Sequence, residues 1–328
     1  MRDIRVGVIG VGSLGYHHAR ISREVGGAKM AGIFDSDSTR LSKVAKELEV
    51  RAFDDVDDLL DNVDACVIAV PTTAHEEVAC KAVRRGIHTL IEKPIAPTIE
   101  AADRILQAAQ QGGAIVQIGH VERFNAALRA CEPYLDSPMF VECHRLAPFN
   151  PRGTDVAVVL DLMIHDLDLV LSLMKRPVTA IGAVGVPVLT SSPDIANARL
   201  EFEGGGVANL TASRVSLERM RKIRLFQRSG YISIDLSNGT GSFLRVKKGI
   251  EWEPGMPFPA ERLDEIVERI TLQGDEREPL RAELENFVGA LRGEVEVAVT
   301  GHEGRDALAV ALEIIGRIER YVQARASA

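Results

Sequence analysis

The sequence has no long apolar run and no excess of positive charge. Its richest apolar stretch, residues 156–174, is interrupted by titratable side chains at Asp161, His165, Asp166 and Asp168, whereas a membrane helix needs roughly 18 uninterrupted apolar residues. The formal net charge is −8, whereas nucleic-acid binding depends on clustered Lys and Arg that neutralise phosphates. The composition therefore argues against a membrane protein and against a nucleic-acid-binding protein.

Cysteine is also scarce. The four cysteines have apolar neighbours, and their spacing matches neither a metal site nor a redox pair: Cys66, Cys80, Cys131 and Cys143. We therefore expect buried thiols and no metal site. The first strand begins within a few residues of Met1, which predicts that there is no signal peptide. Both features indicate a cytoplasmic protein.

The chain is long enough for two domains, with 328 residues of which 46% are hydrophobic and 26% charged. Residues 1–122 alternate apolar β-branched runs with helical patterns and contain six predicted strands, one of them a short strand at residues 51–53. This rhythm predicts an α/β domain with a doubly wound parallel sheet.

Residues 123–328 follow a different pattern. One long amphipathic helix is predicted over residues 155–174, and several consecutive strands follow it, separated by turn residues such as Gly204–Gly206. Consecutive strands of this kind form an antiparallel sheet, so the second domain is predicted to be α+β. A proline-rich loop at residues 254–259 precedes two closing helices, and the last of these is expected to pack back near the first domain.

The start of the first domain carries a dinucleotide-binding pattern. The buried strand Ile4–Ile9 is followed by glycines spaced as G-x-G-x-x-G where a helix begins. These glycines permit a tight turn, the approach of a pyrophosphate to bare backbone and close packing of helix on strand. The helix N-terminus favours an anion. The residues expected to contact the cofactor here are Gly10, Val11, Gly12, Ser13, Leu14 and Gly15.

Asp35 ends the second predicted strand, twenty residues beyond the last glycine. Its carboxylate is suited to accept hydrogen bonds from both ribose hydroxyls of adenosine, and it would repel a 2′-phosphate. NAD is therefore favoured over NADP. Ser36 and Arg40 lie close enough in sequence to weaken this preference, and Arg40 is included among the predicted cofactor contacts.

Three further loops follow predicted parallel strands, where ligands of such sheets bind. They contain Pro71-Thr72, Glu92-Lys93-Pro94, and His120 with Arg123. Lys93 stands between a buried strand and a proline, which favours an extended backbone and an ammonium group directed into the crevice. An ordinary surface lysine is the alternative. We also hypothesise that the Lys93–Pro94 bond is cis.

A second candidate pair interrupts the apolar stripe of the long helix. The spacing of four places Asp161 and His165 on one helical face, and burying two such groups is costly unless both are partnered. A satisfied core histidine is the alternative, but the paired carboxylate and the lysine of the first domain favour catalysis. Asp166 and Asp168 are interpreted as structural.

Together these motifs resemble the Gfo/Idh/MocA family of NAD(P)-dependent oxidoreductases over essentially the whole chain. The matching segments are the glycine motif with His18, Pro71-Thr72 with His75, Glu92-Lys93-Pro94, Asp161-x-x-x-His165, and Gly301-x-Glu303-Gly304-Arg305-Asp306-Ala307-Leu308. The resemblance implies a Rossmann domain and a second domain with an open antiparallel sheet, whose outer face forms the contact of a homodimer or homotetramer. It also places Pro71, Thr72, His75, Glu92 and Lys93 near the cofactor.

The resemblance further implies a catalytic set of Lys93, Asp161 and His165. His165 would accept the proton of a substrate hydroxyl while hydride leaves for the cofactor. Lys93 would stabilise alkoxide charge, and Asp161 would orient one of the two. The predicted substrate contacts are Lys93, His120, Arg123, Arg145, Asp161 and His165.

Residues 120–125 and 161–166 look most like the branch that oxidises UDP-linked amino sugars at C3. A diphosphate needs cations, and the second domain offers Arg145, Arg152, Arg214, Arg219, Arg221 and Lys222, although a solvated edge is an equal alternative for residues 219–224. A dehydrogenase of a free sugar or cyclic polyol would need neutral hydrogen-bonding groups instead. A non-catalytic NAD-binding sensor is the third hypothesis, and the retained catalytic set counts against it.

Overall fold

The apolar run at the N-terminus forms an inner strand of a five-stranded parallel sheet. Strand β1 (Ile4–Ile9) pairs with β2 (Ala28–Phe34) on one side and with β3 (Ala65–Ile68) on the other. Strands β4 (His88–Glu92) and β5 (Val116–Gly119) extend the sheet beyond β3. The resulting order, β2-β1-β3-β4-β5, confirms the predicted Rossmann architecture.

The computed structural model describes residues 2–150, 156–247, 249 and 263–326. The proline-rich loop predicted at residues 254–259 and the cation Arg152 lie outside these residues.

The predicted sixth strand at residues 51–53 is reduced to a single parallel bridge between Ile33 and Ala52. The segment is too short to continue along β2, because Asp55 already caps the next helix by accepting a hydrogen bond from the amide of Asp57.

Helices cover both faces of this sheet. Val6 and Val8 of β1 belong to a buried cluster on one face, while a side chain at Gly7 would meet Leu59 on the opposite face. This alternation explains why the strands are apolar throughout. The helices that connect the strands are α1 (Ser13–Ser22), α2 (Ser38–Leu48), α3 (Val56–Leu60), α4 (His75–Val83) and α5 (Ile99–Gly112).

The chain returns to this first unit near its end. The described protein divides into one unit of Met1–Phe124 with Arg277–Ala309 and a second of Asn125–Glu276 with Val310–Ala328. Helix α9 (Pro279–Leu291) supplies Leu284 and Phe287 to the same buried cluster as β1. The expected second domain of residues 123–328 therefore differs from the structure, because residues 277–309 complete the first unit.

The second unit contains an eight-stranded sheet in the order β13-β12-β11-β10-β6-β9-β8-β7. Seven of its strands follow the predicted pattern, whereas β13 was not predicted. The sheet is mostly antiparallel, but β6 pairs with β9 in parallel, because β6 lies between two groups of consecutive strands. The strands are β6 (Phe140–Leu146), β7 (Val178–Val186), β8 (Ile195–Phe202), β9 (Val207–Ser213), β10 (Met220–Gln227), β11 (Gly230–Asp235), β12 (Thr240–Val246) and β13 (Val267–Gln273).

The long helix predicted over residues 155–174 has two parts. A π-helical segment spans Val159–Met163 and leads directly into α7 (Ile164–Met174). Residue 155 lies outside the described residues. The remaining helices are α6 (Ala126–Cys131), α8 (Leu263–Ile266) and α10 (Gly301–Ala326).

Two predictions from composition can be compared with the described residues. All four cysteines are free and buried, as predicted, and burial raises the pKa of the Cys66 thiol to about 12. Among the helices that the structure describes, none is long and apolar enough to cross a membrane.

A carboxylate ties β1 to the chain entering β3. The Arg5 guanidinium donates to both oxygens of Asp64, at 2.8 and 3.1 Å, and the Arg5 amide donates to one of them at 2.9 Å. These bonds, led by the side-chain bond of Arg5, lower the pKa of Asp64 from 3.8 to about 2. Asp64 therefore stabilises the native state fully above pH 3.8, and this contribution is lost as the pH falls through about 2.

We expect Asp64→Asn to lower the free energy of unfolding at pH 7 by about 1–2 kcal/mol, because a charge-assisted network becomes a neutral one. The deficit should begin to shrink below pH 4, because Asp64 of the unfolded parent protein binds a proton there while the native carboxylate, with a pKa of about 2, is still ionised. Urea unfolding of both proteins at pH 7, 5 and 3.5 measures this. Asp61→Asn is the control, since that side chain is 71% exposed and should change stability little; an equal deficit at every pH would contradict the assignment.

Candidate active site

The turn between β1 and α1 has the backbone geometry of a pyrophosphate site. Gly10 adopts a φ of +85°, and a side chain at Gly15 would place its Cβ 1.8 Å from the carbonyl oxygen of Gly10. At Gly12, in contrast, a Cβ would meet nothing within 4 Å, so open space lies over the backbone where helix α1 begins. Its unpaired amides and positive dipole end suit a phosphate. The residues predicted to contact the cofactor here therefore fit the diphosphate of NAD.

Asp35 directly follows β2 and lies beside this turn. Its Oδ2 accepts a hydrogen bond from the Val11 amide at 2.8 Å, and its Oδ1 accepts one from the Asp37 amide at 2.9 Å. An ionised carboxylate has about four acceptor positions, so these two amides leave capacity for ribose hydroxyls. Arg40 Nη1 lies 3.3 Å from Oδ2 of Asp35, and Arg40 Nη2 lies 3.2 Å from Asp37. The guanidinium is thus held by two carboxylates.

His75 joins two loops at the carboxyl ends of the strands. Its Nδ1 lies 3.0 Å from the carbonyl oxygen of Pro94, and its Nε2 lies 3.0 Å from that of Val70. The side chain is buried, and burial lowers its pKa although both carbonyls oppose that shift. This geometry favours loop positioning over the predicted cofactor contact. Pro71 and Thr72, just before it, lie at the accessible start of a short 3-10 helix.

The loop after β4 places Lys93 and Glu92 in different surroundings. Lys93 is partly buried, and the Lys93–Pro94 bond is cis, as hypothesised. Glu92 is 7% exposed, and its Oε1 lies 2.6 Å from Nε2 of the buried His18. Glu92 thus points into the protein, and the geometry favours an internal role over the predicted cofactor contact.

The loop after β5 contains His120 and Arg123. His120 is 1% exposed. Arg123 pairs with Glu303 in the first turn of α10, with 3.2 Å between Nη2 and Oε1. Arg123 therefore links two segments of the first unit, and the structure gives it a partner other than the predicted substrate.

The second unit carries Asp161 and His165 on its continuous helical run. Asp161 lies in the π-helical segment and His165 in the first turn of α7, and both are partly exposed although their neighbours Met163 and Ile164 are buried. Short π-helical segments are rare and occur frequently at functional sites. The pair is therefore accessible to a ligand of this unit, as the catalytic interpretation requires.

The neighbouring acids have structural partners. Arg145, which is 3% exposed, donates to both oxygens of Asp166 at 2.7 and 3.0 Å. Two charges buried in this bidentate geometry satisfy each other. The structure therefore favours a structural role for Arg145 over the predicted substrate contact, and it agrees with the structural interpretation of Asp166.

The other predicted cations divide into two groups. Arg214 is buried and pairs with Asp194 at 3.1 Å while donating to the carbonyl of Val156 at 2.8 Å. Its guanidinium is thus engaged inside the second unit. The cations that remain exposed are Arg219, Arg221 and Lys222.

One polar cluster was not predicted. Glu283 of α9 lies fully buried near His18 and Glu92. The sequence does contain a signal for it, because Glu283 lies on the apolar stripe formed by Leu280, Leu284 and Phe287. Burying an acid on such a stripe is costly unless the acid has a partner. Its partners lie in distant segments of the chain and could not be identified from the pattern.

The fold and the glycine turn define an NAD-binding oxidoreductase of the Rossmann type, and comparison with known proteins specifies it further. The model of an oxidoreductase family with an NAD-binding Rossmann fold, Gfo/Idh/MocA, matches residues 4–120. The GFO/IDH/MocA C-terminal domain matches residues 117–233. The chain therefore belongs to the Gfo/Idh/MocA family and is an NAD-dependent dehydrogenase acting on CH–OH groups.

The chain is 38% identical to UDP-N-acetylglucosamine 3-dehydrogenase of Acidithiobacillus ferrooxidans, over 98% of this chain and 100% of the relative. A solved structure of that enzyme, GnnA, matches with a TM-score of 0.89 over 98% of this chain and 100% of the other. Inositol 2-dehydrogenase 2 of Saccharopolyspora erythraea is 35% identical over 62% of this chain and 64% of its own length.

We expect Asp35→Ser to raise the KM for NAD about 10- to 100-fold, because hydrogen bonds to a charged group are lost. The preference for NAD over NADP should fall by more than the loss of NAD affinity, because the substitution also frees Arg40 to bind the 2′-phosphate of NADP. Initial rates with both cofactors measure this. Asp37→Ser is the matched control, because it removes the other partner of Arg40; a similar change of preference there would assign selectivity to Arg40 alone.

Proposed function

We propose that this NAD-dependent dehydrogenase oxidises C3 of a UDP-linked amino sugar. The observation that carries the proposal is the 38% identity to UDP-N-acetylglucosamine 3-dehydrogenase, which extends over the full length of that enzyme. Similarity confined to the Rossmann unit would support only the cofactor. Because the match includes the second unit, it also covers the segments that bear Asp161 and His165.

The proposed chemistry assigns one role to each of three side chains. His165 accepts the proton of the substrate hydroxyl as general base, which suits an imidazole near neutral pH. Lys93 donates a hydrogen bond to the same oxygen and stabilises the developing alkoxide charge. Asp161 orients one of these two groups. NAD, when bound, accepts the hydride.

Three features of the first unit are assigned to the cofactor in this reaction: the glycine turn, Asp35 and the loop of Lys93. The amides of α1 bind the diphosphate of NAD, and the Asp35 carboxylate accepts hydrogen bonds from the ribose. For the diphosphate of the sugar nucleotide we propose the cations whose side chains are exposed, Arg219, Arg221 and Lys222. Arg145 and Arg214 are instead buried and paired with acids.

A dehydrogenase of a free cyclic polyol is the second candidate. It is favoured by the 35% identity to inositol 2-dehydrogenase 2, which covers 62% of this chain. A polyol carries no diphosphate and would leave the three exposed cations without a role.

We also propose that subunits associate through one face of the second unit. Phe140, Phe226 and Tyr231 form a row on adjacent strands, with ring centroids 5.5 and 4.8 Å apart, while the alternate residues of these strands are buried. We place the contact of a homodimer or homotetramer on this face; a monomeric mass by light scattering would contradict it.

The cytoplasmic location expected from the sequence stays a prediction.

We expect NADH formation when the purified protein receives NAD with UDP-N-acetylglucosamine, and none with N-acetylglucosamine or myo-inositol. A ketone-trapping reagent should be included, because oxidation of a hydroxyl can be thermodynamically uphill. Absorbance of NADH measures turnover. Activity with the free sugar or polyol alone would overturn the nucleotide-sugar assignment, and NAD binding without turnover on any of the three would contradict the proposed substrate.

We expect Lys93→Ala and His165→Ala each to lower kcat by about 10²- to 10⁴-fold, the usual contribution of a proton-transfer or alkoxide-stabilising group. The Kd for NAD, measured by fluorescence titration, should stay within about twofold because neither group is assigned to the diphosphate or ribose. Lys29→Ala and His302→Ala are matched controls at exposed positions. Near-normal turnover in either test variant would remove that residue from the mechanism.

A further inference from the structure

Three titratable side chains from distant segments meet inside the first unit. They are His18 of α1, Glu92 at the end of β4 and Glu283 of α9, which are 0%, 7% and 0% exposed. One nitrogen or oxygen atom from each lies within 4.8 Å of the others. An imidazole and two carboxylates so deeply buried require either a bound cation or a shared proton to balance their charge.

The distances favour a proton over a metal ion. Nε2 of His18 lies 2.6 Å from Oε1 of Glu92, which is the length of a direct, charge-assisted hydrogen bond. Two ligands of one tetrahedral ion, each about 2.0–2.1 Å from it, would stand about 3.3 Å apart. A hydrogen bond between Nε2 of His18 and Oε1 of Glu92 accounts for this distance, and this pair does not share an ion.

We assign a further proton of this cluster to Glu283. Neither of its carboxyl oxygens has a hydrogen-bond partner among the described residues. Burial raises the pKa of Glu283 well above its ordinary value, and the nearby charge of Glu92 raises it further. Two carboxylates this close cannot both ionise cheaply, and Glu92 is the one that already has a donor.

Glu92 connects this cluster to the lysine assigned to catalysis. Its Oε2 accepts a hydrogen bond from the Lys93 amide at 3.3 Å, while its Oε1 forms the hydrogen bond with Nε2 of His18. A side chain at residue 119 would place its Cβ 3.0 Å from Oε2 of Glu92, so Gly119 leaves the room that the carboxylate occupies. The orientation of the Glu92 carboxylate is thus fixed from several directions beside the Lys93 backbone.

We propose that Glu283 is a neutral carboxylic acid that shares its proton with Glu92, and that Glu283 and the hydrogen-bond donor His18 are positioning residues that hold the Glu92 carboxylate against the Lys93 backbone. Neither touches substrate or cofactor; both act through Glu92. The inference rests on the proposed catalytic role of Lys93, while the protonation of Glu283 is independent of that role.

The charge state is tested by infrared spectroscopy of the whole protein at pH 7. A carbonyl band of a buried, protonated carboxylic acid should be present in the parent protein and absent from Glu283→Gln. This readout needs no substrate, so it separates failure of this inference from failure of the proposed function. Absence of the band, or one equivalent of bound metal by elemental mass spectrometry, would overturn the neutral-acid assignment.

The positioning role is tested by kinetics on whichever substrate the parent protein turns over. Glu283→Gln keeps a neutral group of the same size and should retain kcat within about twofold, whereas Glu283→Leu removes the polar group and should lose about tenfold or more. His18→Leu should lower kcat by about 10- to 100-fold with the KM for NAD little changed, and His18→Gln should restore part of the loss because its amide can donate.

Two kinetic outcomes would overturn the proposal. One is a loss in Glu283→Gln as large as in Glu283→Leu, which would show that the residue acts as a charged carboxylate. The other is an unchanged kcat in His18→Leu, which would show that the hydrogen bond to Glu92 does not reach Lys93. If the leucine variants fail to fold, Glu283→Gln still decides, because a kcat lowered well beyond about twofold in that neutral variant of similar size would contradict the neutral-acid assignment.

Discussion

The first unit depends on the close approach of helix α1 to strand β1. Because a Cβ at Gly15 would lie 1.8 Å from the Gly10 carbonyl oxygen, the helix can occupy its position only over bare backbone. That approach directs the helix N-terminus at the diphosphate site and leaves the Val11 amide 2.8 Å from Asp35. It also brings His18, one turn further along, within 2.6 Å of Glu92. One steric constraint thus sets both the cofactor turn and the buried cluster.

Periodicity predicted most of the fold because buried parallel strands are continuous apolar runs and antiparallel strands alternate. It failed where the information is not local. The parallel pairing of β6 with β9 depends on which strands become neighbours, and the π-helical segment at Val159–Met163 has the same apolar pattern as an ordinary helix. Strand β13 lies at the sheet edge with several of its side chains exposed, so its alternation is weak.

Candidate site residues were identified better by their position relative to strands and helices than by their charge. Lys93 stood out because it follows a buried strand, and Asp161 with His165 because they interrupt an apolar stripe. The arginines could not be sorted this way, since Arg145 and Arg221 look equivalent in sequence. Arg145 meets the buried acid Asp166, whereas the Arg221 side chain is exposed. Which cation is available to a ligand is decided by tertiary neighbours, and these lie far away in the chain.

The return of residues 277–309 to the first unit has a consequence for synthesis on the ribosome. Domains generally fold in order as they emerge, but here the NAD-binding unit lacks Phe287 and Glu283 until the strands of the second unit have all been made. Until then the nascent Rossmann unit lacks the part of its buried cluster that α9 supplies, although α1 and α2 already contribute to that cluster. A fragment ending at Phe124 would remain in that unfinished state, so the cofactor unit cannot be separated by cutting the chain once.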